Sequence, residues 1–312
     1  MNKKILISFL FWFFFINPKP SFSIWFKYEN NPIIPKNVDK KEQIVGARGP
    51  SVLLENNVIK MWFMNYYQNK WSLDYIYSYD GLNWFKPYEK PILLPDNEES
   101  DIASPVVINE DGVYKLWYST MLPDGKYYIK YATSLNGITW NVLPTPVLSS
   151  EFYWESKGVV NPYVLKKNSQ YYLWYQAWGN DSIWRIGMAT SNNGINWLKN
   201  QQPIYLKDNI LHVGNQNLKI VDNQFNMWYL TGNTAVEKIY RYVSDDGINW
   251  HCLGDSCLII EKQFPEFPNS ILDDSDTLIF NNNIYLYYSG VHNGEWQIGL
   301  ATEKPLNLTP TP

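Results

Sequence analysis

The segment Ser78-Tyr79-Asp80-Gly81-Leu82-Asn83-Trp84 returns three times, as Ser134 to Trp140, Ser191 to Trp197 and Ser244 to Trp250. A period of about 55 residues marks a supersecondary unit that cannot bury both of its faces alone and must stack on copies of itself. The chemistry of the segment is that of a tight turn. Asp or Asn accepts hydrogen bonds from the backbone ahead of it, and the Gly that follows takes a positive φ. The closing Trp starts the next strand, where its ring fills the wedge between neighbouring units and its N–H seeks a carbonyl. These tryptophans are read as structural.

An alternating aromatic strand precedes each turn: Lys60 to Met64, Lys115 to Ser119, Tyr172 to Gln176 and Asn226 to Leu230, with a further version at Tyr285 to Ser289. Upstream of the first three lies an X-Pro pair at fixed distance, Gly49-Pro50, Ser104-Pro105 and Asn161-Pro162, and the same count reaches Gln216 and Ser275 in the other two. The last unit lacks its turn, since Glu303-Lys304-Pro305 stands where the motif would be. Trp25 to Ile34 matches Trp84 to Leu93 in spacing and type and supplies the missing strand. The expected fold is therefore all-β, a five-bladed β-propeller whose ring is closed by the N-terminal strand completing the last blade. Such closure removes an exposed sheet edge.

Residues 1–23 are expected to be a signal peptide and 24–312 a single domain. Lys3 and Lys4 precede an apolar run from Ile5 to Ile16, followed by Pro18, Pro20 and the small residues of Ser21-Phe22-Ser23. That run is short for a bilayer span, so the expected product is secreted or periplasmic, with no stable membrane span after signal removal. In an oxidising compartment Cys252 and Cys257, the two cysteines of the chain, are expected to close a small disulfide loop. A net charge of −4 argues against nucleic acid as the main partner. There is no Gly-rich nucleotide loop, zinc-ligand spacing or nucleophile elbow, and neither a cofactor nor a metal is expected.

On Asn31-Pro32-Ile33-Ile34-Pro35, Ser78 to Trp84 and Trp154 to Pro162, the chain resembles the five-bladed propeller superfamily of glycoside hydrolases. That group contains the arabinanases and xylosidases of family 43, the invertases and levansucrases, and the mannoside phosphorylases of family 130. The resemblance implies a central funnel lined by the innermost strands, where carboxyl groups from different blades serve as acid, base and orienting group. In family 43 these acids stand just before the Pro of the inner strand or one residue earlier. Here the corresponding residues are Gly49, Ser104, Asn161, Asn215 and Asp274, preceded by Arg48, Ala103, Val160, Gly214 and Asp273. Acids remain only in the fifth unit, so the family 43 triad does not carry over.

Other acids stand in the loops entering the inner strands: Asp39, Glu42, Asp101, Glu155 and, further on, Asp276. Glu155 is the expected general acid, because the indole of Trp154 beside it would shield it from water; Asp101 and Asp274 are the expected base and orienting carboxylate. Arg48, Asn161 and Asn215 are expected to offer donors to sugar hydroxyls or a phosphate. His212, at the mouth of the fourth inner strand, joins the substrate-binding set, and its imidazole suits proton transfer at neutral pH. Trp154 and Trp178 break the repeat and are the aromatic faces expected to stack on sugar. The expected function is an exported carbohydrate-active protein that acts on or binds an oligo- or polysaccharide in its funnel. A non-catalytic carbohydrate-binding propeller is the alternative. A phosphorylase would need a basic phosphate pocket, for which Arg48 stands alone.

Overall fold

The computed structural model describes residues 25–34, 44, 46–206, 216–233, 236–252, 258–262, 273–292 and 294–306. Among these the fold is all-β, interrupted by one 3-10 turn at Tyr153–Glu155. A short strand, β1 (Phe26–Lys27), comes first, followed by β2 (Ala47–Glu55), β3 (Val58–Tyr67) and β4 (Lys70–Ser78). The next group is β5 (Ala103–Glu110), β6 (Val113–Met121), β7 (Tyr127–Ser134) and β8 (Asn141–Val142). Then come β9 (Gly158–Lys167), β10 (Gln170–Trp178), β11 (Trp184–Ser191) and β12 (Leu198–Lys199). A further group holds β13 (Gln216–Val221), β14 (Gln224–Asn233), β15 (Val236–Ser244) and β16 (Leu258–Lys262), and the last β17 (Asp273–Phe280), β18 (Asn283–His292) and β19 (Glu295–Thr302).

Each group is an antiparallel meander whose first hairpin is set by two residues of positive φ, as at Asn56-Asn57, Asn168-Ser169, Asp222-Asn223 and Asn281-Asn282. Two successive left-handed residues match the right-handed twist of the flanking strands, which is why Asn and Asp occupy these corners. The first strands β2, β5, β9, β13 and β17 touch in that order, and β17 also touches β2. β1 pairs antiparallel with β19, with Phe26 opposite Thr302, and the side-chain amide of Asn31 both donates to the Leu300 carbonyl and accepts from its N–H, each at 2.8 Å.

The recurring turn is a closed hydrogen-bond cage. Ser78 Oγ accepts from the N–H of Gly81 at 2.8 Å, while Asp80 Oδ1 accepts from the N–H groups of Leu82 and Asn83 at 2.8 Å each. The same bonds recur at Ser134 and Asn136, Ser191 and Asn193, and Ser244 and Asp246. The Gly carbonyl then faces the preceding unit. Trp62 Nε1 donates to Gly137 O at 2.7 Å, Trp117 to Gly194 O at 2.8 Å and Trp174 to Gly247 O at 2.9 Å. In the last group the Tyr287 hydroxyl donates to Gly81 O of the first at 3.2 Å.

This division of labour corrects one expectation. The motif tryptophans do wedge between units, since Trp197 packs edge-on against Trp117, Trp250 against Trp174 and Trp84 against Tyr287. The indole that reaches across to a carbonyl, however, belongs to the central strand; the Nε1 atoms of Trp84, Trp140 and Trp197 are buried with no hydrogen-bond partner, and that of Trp250 donates to its own turn. The motif rings meet the central-strand rings edge to face, and in Trp84, Trp140 and Trp197 the Nε1 finds no carbonyl.

The turn glycines are doubly constrained. Gly194 has φ 77°, and a Cβ there would lie 2.8 Å from Trp117 Cζ2, whereas Gly112 has φ 84° with open space around it. Gly112→Ala is expected to cost about 1 kcal/mol, the left-handed backbone penalty alone. Gly194→Ala should cost about 3 kcal/mol, because overpacking adds to that penalty. Denaturant midpoints of the two variants would check this; equal losses would show that the contact between units does not matter.

Candidate functional site

Four of the inner strands bulge where they enter the axis, β2, β5 and β9 at the residue before a Pro and β17 at Asp274. Register shifts fall between Arg48 and Ser51 in β2, between Ala103 and Val106 in β5, opposite Trp174 and Gln176 in β9, and between Asp273 and Ser275 in β17. A bulge re-aims one side chain out of the pleat. Gly49, Ser104 and Asn161 take φ of 64°, 45° and 52° there, and with Gln216 and Asp274 they line a common axial cavity. Each bulged N–H is met from the preceding unit: Gly49 N by Ser289 Oγ at 3.0 Å, Ser104 N by Met64 Sδ at 3.2 Å and Asn161 N by Ser119 Oγ at 2.8 Å. The cavity is narrow, about 20 Å³, room for one water molecule. At its mouth Arg48 and Asp273 keep part of their surface.

A directed chain of hydrogen bonds surrounds this cavity. Gln216 Nε2 donates to the Asn161 carbonyl at 2.9 Å, Gln176 Nε2 to Gln216 Oε1 at 3.2 Å and Asn161 Nδ2 to Gln176 Oε1 at 2.8 Å. Asn161 therefore turns its Oδ1 to Ser104, whose hydroxyl donates to it at 2.6 Å. A hydroxyl has one proton. Its contact as a donor to Asp274 Oδ1, at 3.3 Å, is the longer of the two, so Asp274 receives only the weaker share of that proton. Burial pushes the pKa of Asp274 up to about 7, helped by the charge of Asp273 and opposed by Arg48 and by the hydrogen bond from Ser104.

Arg48 bridges the two carboxylates. Its Nε lies 3.2 Å from Asp274 Oδ2, its Nη2 contacts Asp273, and its guanidinium rests 4.5 Å from the ring centre of Trp296. The repeat makes this trio informative. At the same bulge the other described units carry Ala103-Ser104 and Val160-Asn161, so charge is not what the bulge needs.

The remaining expected residues lie elsewhere. Asp101 is half-buried and accepts from the N–H of Trp71 at 2.8 Å, fixing the start of β4 rather than lining the cavity. Asp276 does line it, but is held by the N–H of Val52 at 2.8 Å, the Tyr163 hydroxyl at 2.6 Å and Lys219 at 2.9 Å. Trp154 is sandwiched with Phe152 and Tyr175, so its faces are taken. Cys252 is disulfide-bonded. Asp39, Glu42, His212, Asn215 and Cys257 lie outside the described residues.

Glu155 is fully buried away from the cavity. Its Oε1 accepts from the N–H groups of Glu151 and Phe152 at 2.6 and 3.0 Å and pairs with Lys199, and its Oε2 accepts from Tyr175 at 3.0 Å. The preceding unit repeats the arrangement, with Glu99 taking the Tyr118 hydroxyl at 2.8 Å and Lys130 at 2.7 Å. A feature that recurs with its Tyr and Lys partners belongs to the scaffold. Sequence reasoning missed the axial amides Gln176 and Gln216 because they act through a network that only adjacent inner strands assemble; their signal was their place in the repeat.

The family model of glycoside hydrolase family 130, described as beta-1,4-mannooligosaccharide phosphorylase, matches residues 103–271. The chain belongs to this family. The matched region includes Ser104, Asn161, Gln176 and Gln216, while Arg48, Asp273 and Asp274 lie outside it. A 1,2-beta-oligomannan phosphorylase of Thermoanaerobacter sp. (strain X514) is 29% identical over 176 residues, 52% of this chain and 57% of the relative. A beta-1,2-mannobiose phosphorylase of the same organism is 31% identical over 127 residues, 36% of this chain and 42% of the relative. The chain spans about half the length of the curated relatives it matches.

Among solved structures, one described as "The GH130 family of mannoside phosphorylases contains glycoside hydrolases that target beta-1,2 mannosidic linkages in Candida mannan" aligns with TM-score 0.65 at 15% identity, covering 94% of this chain and 98% of its own. A thermostable family 43 glycoside hydrolase aligns with TM-score 0.65 at 13% identity over 87% of this chain and 96% of its own. At such identity the likeness shows the fold, that of the β-propeller glycoside hydrolases, as the resemblance in sequence implied.

Burial draws the pKa of Lys199 down, against the pull of Glu155. Glu155→Gln would leave that ammonium buried without its counter-charge, at an expected cost of about 3 kcal/mol. Adding Lys199→Met should restore most of the loss, and chemical denaturation of both variants checks it.

Proposed function

We propose that this chain acts on a mannose-containing oligo- or polysaccharide bound at the axial mouth, with Asp274 as the proton-donating carboxyl. The observation that carries this is that Asp274 is a buried carboxyl lining the axial cavity beside Asp273, where burial pushes its pKa up to about 7. A glycosidic oxygen leaves readily only when protonated, and a carboxyl that holds its proton near neutral pH supplies that need. Arg48 orients Asp274, and the more exposed Asp273 is the carboxylate available to activate the attacking group. Among the described residues at the mouth Arg48 is the cation, and it is already paired with the Asp273 carboxylate, which supports water over phosphate as that group.

The expected signs are definite. Asp274 must be protonated to act, so activity should fall as pH rises through about 7. Asp274→Asn is expected to lower kcat by about 10²–10⁴ and abolish that limb of the profile, with oligosaccharide binding retained. Assays on β-1,2- and β-1,4-linked mannooligosaccharides, with and without inorganic phosphate, test this. Binding without turnover by wild type would mean a binding protein, and release of a sugar 1-phosphate would make phosphate the acceptor.

The scaffold is read as five blades, closed by residues 25–34 completing the last one. The pairing of β1 with β19 and the contact of β17 with β2 support it. Deleting residues 25–34 should abolish cooperative unfolding of the soluble protein; an unchanged thermal midpoint would count against closure. Residues 1–23 are read as a signal peptide, and the protein as secreted or periplasmic.

A further inference from the structure

At the far end of β17 from the axial mouth a cleft opens along the seam between the last unit and the first. Phe280 ends that strand six residues beyond Asp274, about 20 Å along it at the rise of a strand. Around the cleft stand Tyr79 and Asp80 from the first unit's turn and Phe280, Asn281, Tyr285 and Lys304 from the last unit, enclosing about 530 Å³. That volume falls within the roughly 300–1,000 Å³ of small-ligand sites.

The repeat shows how such a seam is closed elsewhere. At the first seam Lys60 donates to Glu55 and to the Tyr114 hydroxyl of the next unit at 2.6 Å each, and at the second Lys115 makes the same contacts with Glu110 and Tyr171. In the last unit Phe280 and Tyr285 hold the hairpin positions of Glu55 and Lys60, and their rings meet edge-on at 5.6 Å. Two rings thus stand where the scaffold uses an ion pair. Tyr79 departs from the repeat as well, its counterparts in the other turns being Leu135, Asn192 and Asp245. It touches Tyr77 and Phe85 edge-on and remains 62% exposed, whereas Tyr285 is buried and Phe280 half-buried.

The polar lining keeps hydrogen-bonding capacity. Asp80 Oδ1 belongs to the turn cage, but Oδ2 takes one hydrogen bond, from Asn83 Nδ2 at 2.8 Å. Lys304 Nζ donates to the Asn282 carbonyl at 2.6 Å and has two more N–H groups to offer. Asn283 pins this wall, accepting from the Lys304 N–H at 2.9 Å and donating to its carbonyl at 3.0 Å. One carboxylate and one ammonium cancel, so the cleft suits a neutral ligand with an apolar face and several hydroxyls. We propose that it is a second carbohydrate site, holding one or two pyranose units of a polysaccharide away from the axial mouth. Tyr79 and Phe280 take the C–H face of the sugar, and Asp80, Asn281 and Lys304 its hydroxyls. The proposal rests on the function above for the identity of the sugar, and adds to it an anchoring site that takes no part in bond cleavage.

Retention of the full chain on insoluble β-1,4-mannan tests it, with Asp274→Asn as the background so that the matrix is not degraded. In that background Tyr79→Ala should weaken retention about tenfold, and Lys304→Ala by less, with thermal midpoints unchanged. In the otherwise wild-type chain Tyr79→Ala should leave turnover of short soluble mannooligosaccharides as it was. Equal retention with and without the Tyr79 ring, or none in either, overturns the second site, and turnover by wild type then leaves the axial reading standing. A parallel fall in turnover in Tyr79→Ala overturns it too, by assigning Tyr79 to the mouth. Retention that depends on Tyr79 without any turnover by wild type upholds the cleft and sinks the proposed reaction.

Discussion

One hydrogen bond holds the architecture together: an aromatic donor on a central strand reaching the carbonyl of the turn glycine in the next unit. It is formed by Trp62, Trp117 and Trp174, and by the Tyr287 hydroxyl toward the first unit. The bond demands a glycine, since the donor ring packs within about 3 Å of where a Cβ would stand. It demands the Ser and Asp or Asn cage too, because only a rigid turn presents its carbonyl at a constant angle. The turn is thus both the corner of one unit and the socket of its neighbour.

The same economy builds the axis. The inner strands β2, β5 and β9 bulge before a Pro, turning one side chain inward, and a residue two positions beyond the central aromatic of the preceding unit satisfies the bulged N–H. Because these contacts involve backbone, the inward side chain is free to differ from unit to unit. Gly49, Ser104, Asn161 and Asp274 are interchangeable for the bulge, yet they place no side chain, a hydroxyl, an amide and a carboxyl around one cavity. Arg48 and Asp273 occupy the adjacent position and meet across the junction of first and last inner strands.

The buried ion pairs illustrate the converse. Glu155 has the composition of a catalytic acid, next to a tryptophan and shielded from water. Its Tyr and Lys partners reappear around Glu99 one unit earlier, and that recurrence assigns it to the scaffold. The Lys199 that neutralises it is 44 positions away. No local pattern announces such a pair.

The repeat, the turns, the X-Pro bulges and the all-β fold were legible in the chain because they rest on local rules: periodicity, positive φ at Gly and Asn, and alternation along strands. Asp274 and Arg48 were legible as breaks in the repeat. The tertiary structure decided what those breaks mean. Whether a carboxyl keeps its proton depends on which dipoles and charges surround it, and around Asp274 these come from Arg48, Ser104 and Asp273, residues that the sequence separates by up to 226 positions. Local chemistry determines the units, but electrostatics acts through space, so only the packing of first and last inner strands sets the surroundings of Asp274.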